Sequence, residues 1–434
     1  GIRLSRGERR FLSVTLLPVG QFAPLDETVT QAPESFTGRF GATATMLPGS
    51  DGRILIAGGF DTMFSIPLTD CRTAVAPRTL ADGTVCFRLI ASAKAFVLEP
   101  GSGRIYGLAQ DLGEATGRAF HTATALPDGR VVLAGGLDYA ILVFEPAAGG
   151  TGYVPGFVPV ASGAPGRTGF DPSYEIFNPQ LNALADNPAR DGNPQRGGFE
   201  GMGNLVAPRA FAAAALWPED GTAAYPRVAI FGGLDPATGT PRPSVGWEAW
   251  NSDGSGTSIV GAGTLPKSRT MGGLAYMLYG PTHELWMIGG AVGPTTDADI
   301  ITIWQSTASG GVLASGSPLS PTGTAHADKN FFLPCVTPLG NVDAPVAYLV
   351  TGSLGPLCSY DSADESYTPT YDLTVPDLRP CPPNRIPPYV VNKAVTGVPL
   401  TAVGGWTAGT DNPHVLGACA PLGDGSAVVV GGAG

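Results

Sequence analysis

The stretch that decides the fold runs Thr116-Gly117-Arg118-Ala119-Phe120-His121-Thr122-Ala123-Thr124-Ala125-Leu126-Pro127-Asp128-Gly129-Arg130-Val131-Val132-Leu133-Ala134-Gly135-Gly136. A basic residue is followed by alternating small and apolar residues, then by Pro-Asp-Gly, then by a four-residue aliphatic run closed by paired glycines. This is the pattern of two short strands joined by a tight turn. The closing glycines admit positive φ and close backbone approach, as strands converging in a crowded centre require.

Working outward, the phrase recurs along the chain. One copy runs from Arg39 through Pro48 to Ile54-Leu-Ile-Ala-Gly58-Gly59. Others run from Arg209 through Pro218 to Val228-Ala-Ile-Phe-Gly232-Gly233, and from Arg269 to Leu285-Trp-Met-Ile-Gly289-Gly290. Weaker copies start at Lys329 and end at Gly352, and start at Asn412 and end at Gly431-Gly432. Aligned on the first residue, a Pro stands nine positions later in five of the six copies, Leu278 being the exception. Further strand signals follow several copies: Ala95-Phe-Val-Leu-Glu-Pro with Arg104-Ile-Tyr-Gly-Leu-Ala, Ala140-Ile-Leu-Val-Phe-Glu-Pro, Tyr174-Glu-Ile-Phe-Asn-Pro and Ile300-Ile-Thr-Ile-Trp. Four strands per copy are expected.

A basic residue opening strand one, an aliphatic strand ending in Gly-Gly, and a following strand such as Val143-Phe-Glu-Pro146 together resemble the kelch repeat. The resemblance spans about Arg39 to Gly432 and implies an all-β fold: a kelch-type β-propeller like the central domain of galactose-oxidase-like proteins. Gly-Gly intervals of 57 to 97 residues, longer than a kelch unit, and the scarcity of Trp depart from the family pattern. Six signatures imply six blades. The extra Gly404-Gly405 leaves seven open, but it lies only 27 residues before Gly431 and is assigned to an outer strand of blade five. The strand-like Arg9-Arg-Phe-Leu-Ser-Val-Thr-Leu-Leu-Pro18 is expected to complete the last blade and close the ring. The chain is read as one domain, 1–434, with insertions at about 62–90, 146–205 and 355–388.

Composition agrees. The 62 Gly and 41 Pro among 434 residues oppose long helices, and Gly falls at no fixed third position, excluding collagen. A 43% hydrophobic, 14% charged chain can bury a core. Net charge of -11 opposes nucleic acid and anionic membrane surfaces as partners. No apolar run reaches the roughly 18–20 residues of a transmembrane segment. The chain begins at Gly1, which reads as a processed or truncated start, with no signal peptide visible.

Six cysteines occur without a CxxC pair, which disfavours zinc at its usual spacing. Disulfides are the favoured reading: Cys71 with Cys86, Cys358 with Cys381, and Cys335 with Cys419 joining two repeats. Six cysteines allow 15 full pairings, and six buried thiols in a cytosolic protein stand as the alternative.

By the resemblance, the residues opening strand one gather near the central channel, so Arg39, Arg118, Arg209, Arg269 and Lys329 are candidates for a basic, anion-binding ring. The competing reading pairs each with a neighbouring blade's acid, Asp61, Asp138 and Asp235 being placed two residues past a Gly-Gly. His121 and His414 are candidates to face the channel. His283 and His326 complete the histidines, and no His pair has metal-ligand spacing. The copper site of the galactose-oxidase-like enzymes, two His, a Tyr and a Tyr crosslinked to Cys, cannot be assigned. No G-x-S-x-G, Walker or calcium-loop pattern occurs. No catalytic residue, metal or cofactor is therefore assigned. Tyr153, Phe157, Phe170, Tyr174, Phe177 and Phe199 in 146–205 suggest a contact surface, with surface decoration by locally packed aromatics as the alternative. The leading expectation is a non-catalytic, secreted or cell-surface propeller that presents loops to protein or glycan partners, within a larger assembly. A secreted carbohydrate-active enzyme or copper radical oxidase is the alternative, and a cytosolic kelch adaptor a third.

Overall fold

The architecture comes from a computed structural model. It describes residues 36–49, 52–100, 103–108, 111–112, 117–146, 153–160, 169–181, 197–217 and 227–236, and from 242 onward the strands given below with Gly272, Gly290 and Leu422. The fold is all-β and antiparallel, with one short helix among the described residues.

Along the first half lie β1 (Thr43–Met46), β2 (Ile54–Ala57), β3 (Phe60–Ile66), α1 (Leu68–Ala74), β4 (Val85–Ala91), β5 (Ala95–Glu99), β6 (Arg104–Gly107), β7 (Thr122–Ala125), β8 (Val131–Ala134), β9 (Tyr139–Pro146), β10 (Tyr153–Pro159), β11 (Ser173–Asn178) and β12 (Gly198–Asn204). The first repeat forms the sheet β1-β2-β5-β6 and the second β7-β8-β11-β12. The third joins Ala213–Trp217, Arg227–Phe231, Gly246–Asn251 and Ile259–Thr264; the fourth joins Gly273–Tyr279, Thr282–Ile288, Ile301–Ser306 and Ser317–Leu319. The fifth joins Cys335–Leu339, Ala347–Thr351, Tyr389–Asn392 and Leu400–Ala402. Gly404-Gly405, expected in an outer strand of the fifth repeat, lie outside the described residues. The sixth repeat shows Ala418–Pro421 paired with Ala427–Val430. Leu357–Asp361, Ser366–Thr370 and Leu378–Pro380 form a separate sheet within 355–388. Leu234–Asp235 pairs Arg242–Pro243, and Arg269–Thr270 pairs Ala291–Val292.

The opening strands touch in sequence: β1 with β7, β7 with Ala213–Trp217, that strand with Gly273–Tyr279, and so on through Cys335–Leu339 and Ala418–Pro421 back to β1. Apolar clusters lie between neighbouring sheets. Leu55, Ala57 and Val97 pack on Val131, Leu133 and Phe177, while the alternate residues Ile54, Ile56 and Phe96 pack on Ala420 and Val428 of the last repeat. Both faces of β2 are thus covered. That explains why the strand reads as a continuous apolar run in an antiparallel sheet, where alternation is the usual pattern.

Three expectations are corrected. Ala140-Ile-Leu-Val-Phe-Glu-Pro was read, with Tyr174-Glu-Ile-Phe-Asn-Pro, as a strand following the second copy, but β9 pairs with β4 in a different sheet, β10-β9-β4-β3. The third strand of the second repeat is β11, against β8. The segment 146–205, read as an insertion, therefore supplies two strands of that repeat, β11 and β12. The proline alignment also drifts. The residue four beyond Arg39, Arg118, Arg209 and Arg269 stands opposite the residue before Gly-Gly, as Thr43 does Ala57 and Thr122 does Ala134. In the last two copies Cys335 and Ala418 take that place, six beyond Lys329 and Asn412. Pro338 and Pro421 lie inside strands rather than past their ends, so Lys329 is not the counterpart of Arg118 by pairing.

Candidate functional site

Each described register arginine closes its own repeat. Arg39 Nη1 donates to the Gly58 carbonyl at 3.1 Å, Arg118 Nη1 to Gly135 at 3.0 Å, and Arg209 Nη1 to Gly232 at 3.2 Å. The other glycine of each pair ties repeat to repeat, because Gly59 N–H donates to the Arg118 carbonyl and Gly136 N–H to the Arg209 carbonyl, both at 2.9 Å. Side chains are excluded there. Gly135 sits at φ +66, and a Cβ on it would run into the Arg209 carbonyl oxygen.

The guanidinium groups are buried and paired. Arg118 Nη2 lies 2.9 Å from Glu175 Oε1 and 3.2 Å from Asp171 Oδ2, and it donates to Ser173 Oγ at 3.1 Å. Arg209 Nη2 lies 2.9 Å from Glu248. Arg39 Nη2 lies 3.9 Å from Asp61, and its guanidinium stands 4.7 Å from the Phe96 ring centroid. Burial pushes the Arg39 and Arg209 pKa values down, against the raising effect of Asp61 on one and of Glu248 and Asp235 on the other. Of the acids expected as partners, Asp61 faces Arg39 of its own repeat rather than a neighbouring blade's arginine. Asp138 instead accepts from Gly169 N–H at 2.9 Å, and Arg118 takes Asp171 and Glu175. Sequence reading missed Glu175 and Glu248 because both sit on third strands, far along the chain from their arginines. Arg269 lies in a two-residue strand and its side chain is not described, and Lys329 lies outside the described residues.

A cavity of about 230 Å³ is lined by all six opening strands, among them Thr43, His121, Ala213, Gly273, Val336 and Cys419. Arg39, Arg118 and Arg209 are absent from its described wall. His121 lines it with its Nε2 2.9 Å from Thr43 Oγ1. Burial foremost, and then the Arg118 charge, hold its pKa well below 6.5 despite a hydrogen bond with the Arg118 backbone that raises it. Neutral imidazole is therefore the resting form. His414 lies outside the described residues.

Phenylalanines close in beside it. Phe120 and Phe211 hold positive φ values of 53° and 57°, a strained backbone for aromatic residues, in the place Gly41 takes in the first repeat. Phe120 N–H donates to the Gly41 carbonyl at 2.7 Å and Phe211 N–H to the Phe120 carbonyl at 3.0 Å, a hydrogen-bond chain passing from repeat to repeat. Their rings stack at 4.3 Å, and Phe157 of β10 meets both, at 5.7 and 6.0 Å. The inserted sheet thus packs onto the strand entrances. Of the two readings of the aromatics in 146–205, a contact surface or local packing, the described side chains fit local packing: Phe157 joins this cluster, Phe170, Tyr174 and Phe177 are buried, and Phe199 packs on Phe177. Tyr153 alone of the six stays exposed. The sequence signal was available in the second position after the register arginine, Phe in both the second and third copies.

Cys71 pairs with Cys86, and Cys335 pairs with Cys419 across neighbouring opening strands. The pairing of Cys358 with Cys381 falls outside the described residues. Among the described residues no helix is long and apolar enough to cross a membrane. Among the described residues no group of three or more His, Cys, Asp or Glu could hold a metal ion, and His121 is flanked by Thr and Phe rather than by a copper donor set. The residues described there do not fit a copper centre.

The fold and site define an all-β protein of repeated antiparallel sheets with a small, mostly uncharged cavity where the repeats meet. No family model matches the chain, and no curated protein matches it significantly. Among solved structures it is similar to the protein YjhT, at 11% identity and TM-score 0.46, over 93% of this chain and 94% of that one. It is also similar to a fungal alcohol oxidase of the AA5 family in complex with copper, at 9% identity and TM-score 0.40, over 92% of this chain and 71% of the other.

Proposed function

We propose that the chain is a six-bladed kelch-type β-propeller that serves, outside the cytoplasm or at the cell surface, as a rigid non-catalytic scaffold for protein or glycan partners. The observation that carries it is the use made of the candidate ring. Arg39, Arg118 and Arg209 are buried off the cavity wall, each bonded to a glycine carbonyl of its own repeat and facing an acid, leaving neutral His121 as the titratable side chain on the described cavity wall. Acid–base chemistry needs a group poised near the working pH, and anion binding needs donors left over; neither is present at that wall. The cyclic contact of the opening strands supports six blades, and two disulfides support an oxidising compartment. Residues 9–18, read as completing the sixth blade, lie outside the described residues; that blade's two described strands pack against β2 and β5.

The test is an assay of the intact protein, with and without added copper, for oxidation or hydrolysis of sugars and alcohols, beside metal analysis and thiol titration of the denatured chain. The expected result is no turnover, no stoichiometric metal and no titratable thiol. Enzyme-like turnover would sink the scaffold reading, and free thiols would move the protein to the cytosol.

A further inference from the structure

The two described disulfides sit in unlike surroundings. Cys71 and Cys86 are 0% and 2% exposed, enclosed with Val75, Leu80, Ile141 and Val143 in one apolar cluster. Cys335 and Cys419 instead line the central cavity, which opens to solvent, and Cys335 is only half-buried. Their placement is particular to one junction of the ring. Opposite the residue before the closing glycines, the first four repeats carry Thr43, Thr122, Ala213 and Gly273, whereas the fifth carries Cys335 and the sixth offers Cys419 one residue later. The sixth repeat is thus held on both flanks. Its Ala420 and Val428 pack on Ile54, Ile56 and Phe96 of the first repeat, and its other flank is tied covalently to the fifth.

We propose that Cys335–Cys419 is a redox-sensitive clasp on the ring, opened by a low-molecular-weight thiol that enters the central cavity. The thiol gives up its proton to water, and its thiolate attacks the half-buried Cys335 sulfur. A mixed disulfide forms, the Cys335–Cys419 bond breaks, and Cys419 leaves as a thiolate that takes up a proton. A second small thiol attacks the mixed disulfide, releasing Cys335 as a thiol and leaving a small-molecule disulfide, so two thiols are oxidised as one protein disulfide is reduced. Size selects the reductant. The cavity of about 230 Å³ holds the volume of about eight waters, room for a small thiol and too little for a protein reductant. Opening the clasp removes a cross-link between residues 84 apart in the chain, at the junction of the last two repeats. Cys71–Cys86 stays closed, because its sulfurs meet no solvent until the cluster around them opens.

The inference goes beyond the scaffold reading but rests on the oxidised chain that reading assumes. The experiment is reduction of the folded full chain by dithiothreitol, with quenched alkylation and mass mapping of each cysteine over time. Cys335 and Cys419 should be labelled together, at least about tenfold faster than Cys71 and Cys86. The chain alkylated at those two positions should melt about 5 °C lower than the untreated protein. The double variant Cys335→Ser, Cys419→Ser should melt at that lowered temperature before any thiol is added. Equal labelling rates, which mean reduction through unfolding, would overturn the proposal, as would faster labelling of Cys71 and Cys86 or a melting temperature unmoved by the selective reduction. Should the double variant fail to fold, the rates measured on the natural sequence decide alone. A thiol count before the reductant is added tells the two readings apart: free Cys335 and Cys419 would overturn the clasp and the oxidising compartment together, whereas equal rates overturn the clasp alone.

Discussion

The sheet of the second repeat and the inserted sheet beside it are built from similar strands and held in opposite ways. In the repeat, β8 is buried at every residue, and its third-strand neighbour β11 is clamped by a guanidinium that is itself 1% exposed. In the inserted sheet the ion pairs lie at the surface, Arg78 with Glu145 and Arg72 with Asp82, and a disulfide ties α1 to β4. The repeat gains order from burial and a dry charge cluster, whereas the insertion is held by a covalent link and solvated pairs. Charge has different worth in the two places, because removing one partner of a buried cluster strands the other in a poor solvent.

The comparison can be broken at several points. The largest effect is expected from Arg118→Met, which leaves Asp171 and Glu175 buried without their cation and should cost about 3–5 kcal/mol in denaturant unfolding. A loss below 1 kcal/mol would mean that water reaches the cluster. Next comes Gly135→Val, which imposes a side chain at φ +66 against the Arg209 carbonyl and should cost about 3 kcal/mol; an unchanged melting temperature would contradict the repeat register. Gly83→Ala in the insertion, also at positive φ (+84) but meeting only the Pro146 ring at 3.3 Å, should cost about 1 kcal/mol.

His121 sharpens the contrast through pH. Its folded pKa is depressed below the unfolded value near 6.5, so above that pH neither state takes up the proton and nothing is lost. Below it the unfolded chain binds a proton that the folded chain refuses, and stability falls by up to about 1.4 kcal/mol per pH unit until the folded pKa is reached. Denaturant midpoints between pH 7 and 5 should show this slope, reduced in His121→Gln. A slope unchanged by the substitution would assign it to other groups. The smallest effect belongs to Arg78→Met, expected to cost less than about 1 kcal/mol because the pair with Glu145 is solvated and screened. A larger loss would show that the insertion, too, depends on charge.

The sequence by itself determined the unit of the fold. Arg118, the alternation after it and Gly135-Gly136 state a local grammar, and local grammar is legible because turn chemistry, strand period and positive φ are properties of neighbouring residues. The Cys71–Cys86 disulfide, 15 residues apart, was legible for the same reason, whereas Cys335–Cys419, 84 residues apart, was reached only as the pair left over. Only the tertiary structure decided which strand completes which sheet. Ala95–Glu99 and Tyr139–Pro146 share the same apolar run ending in Glu-Pro, yet the first pairs within its repeat and the second leaves it for β4. What separates them is distant in sequence: Asp138 is fixed by Gly169 N–H, and the vacated place beside β8 is filled by β11, whose Glu175 meets Arg118. The same holds for the arginines. Whether a guanidinium faces a ligand or an internal acid depends on a carboxylate brought from another strand, and a pairing of that kind is set by packing, which no single stretch of residues encodes.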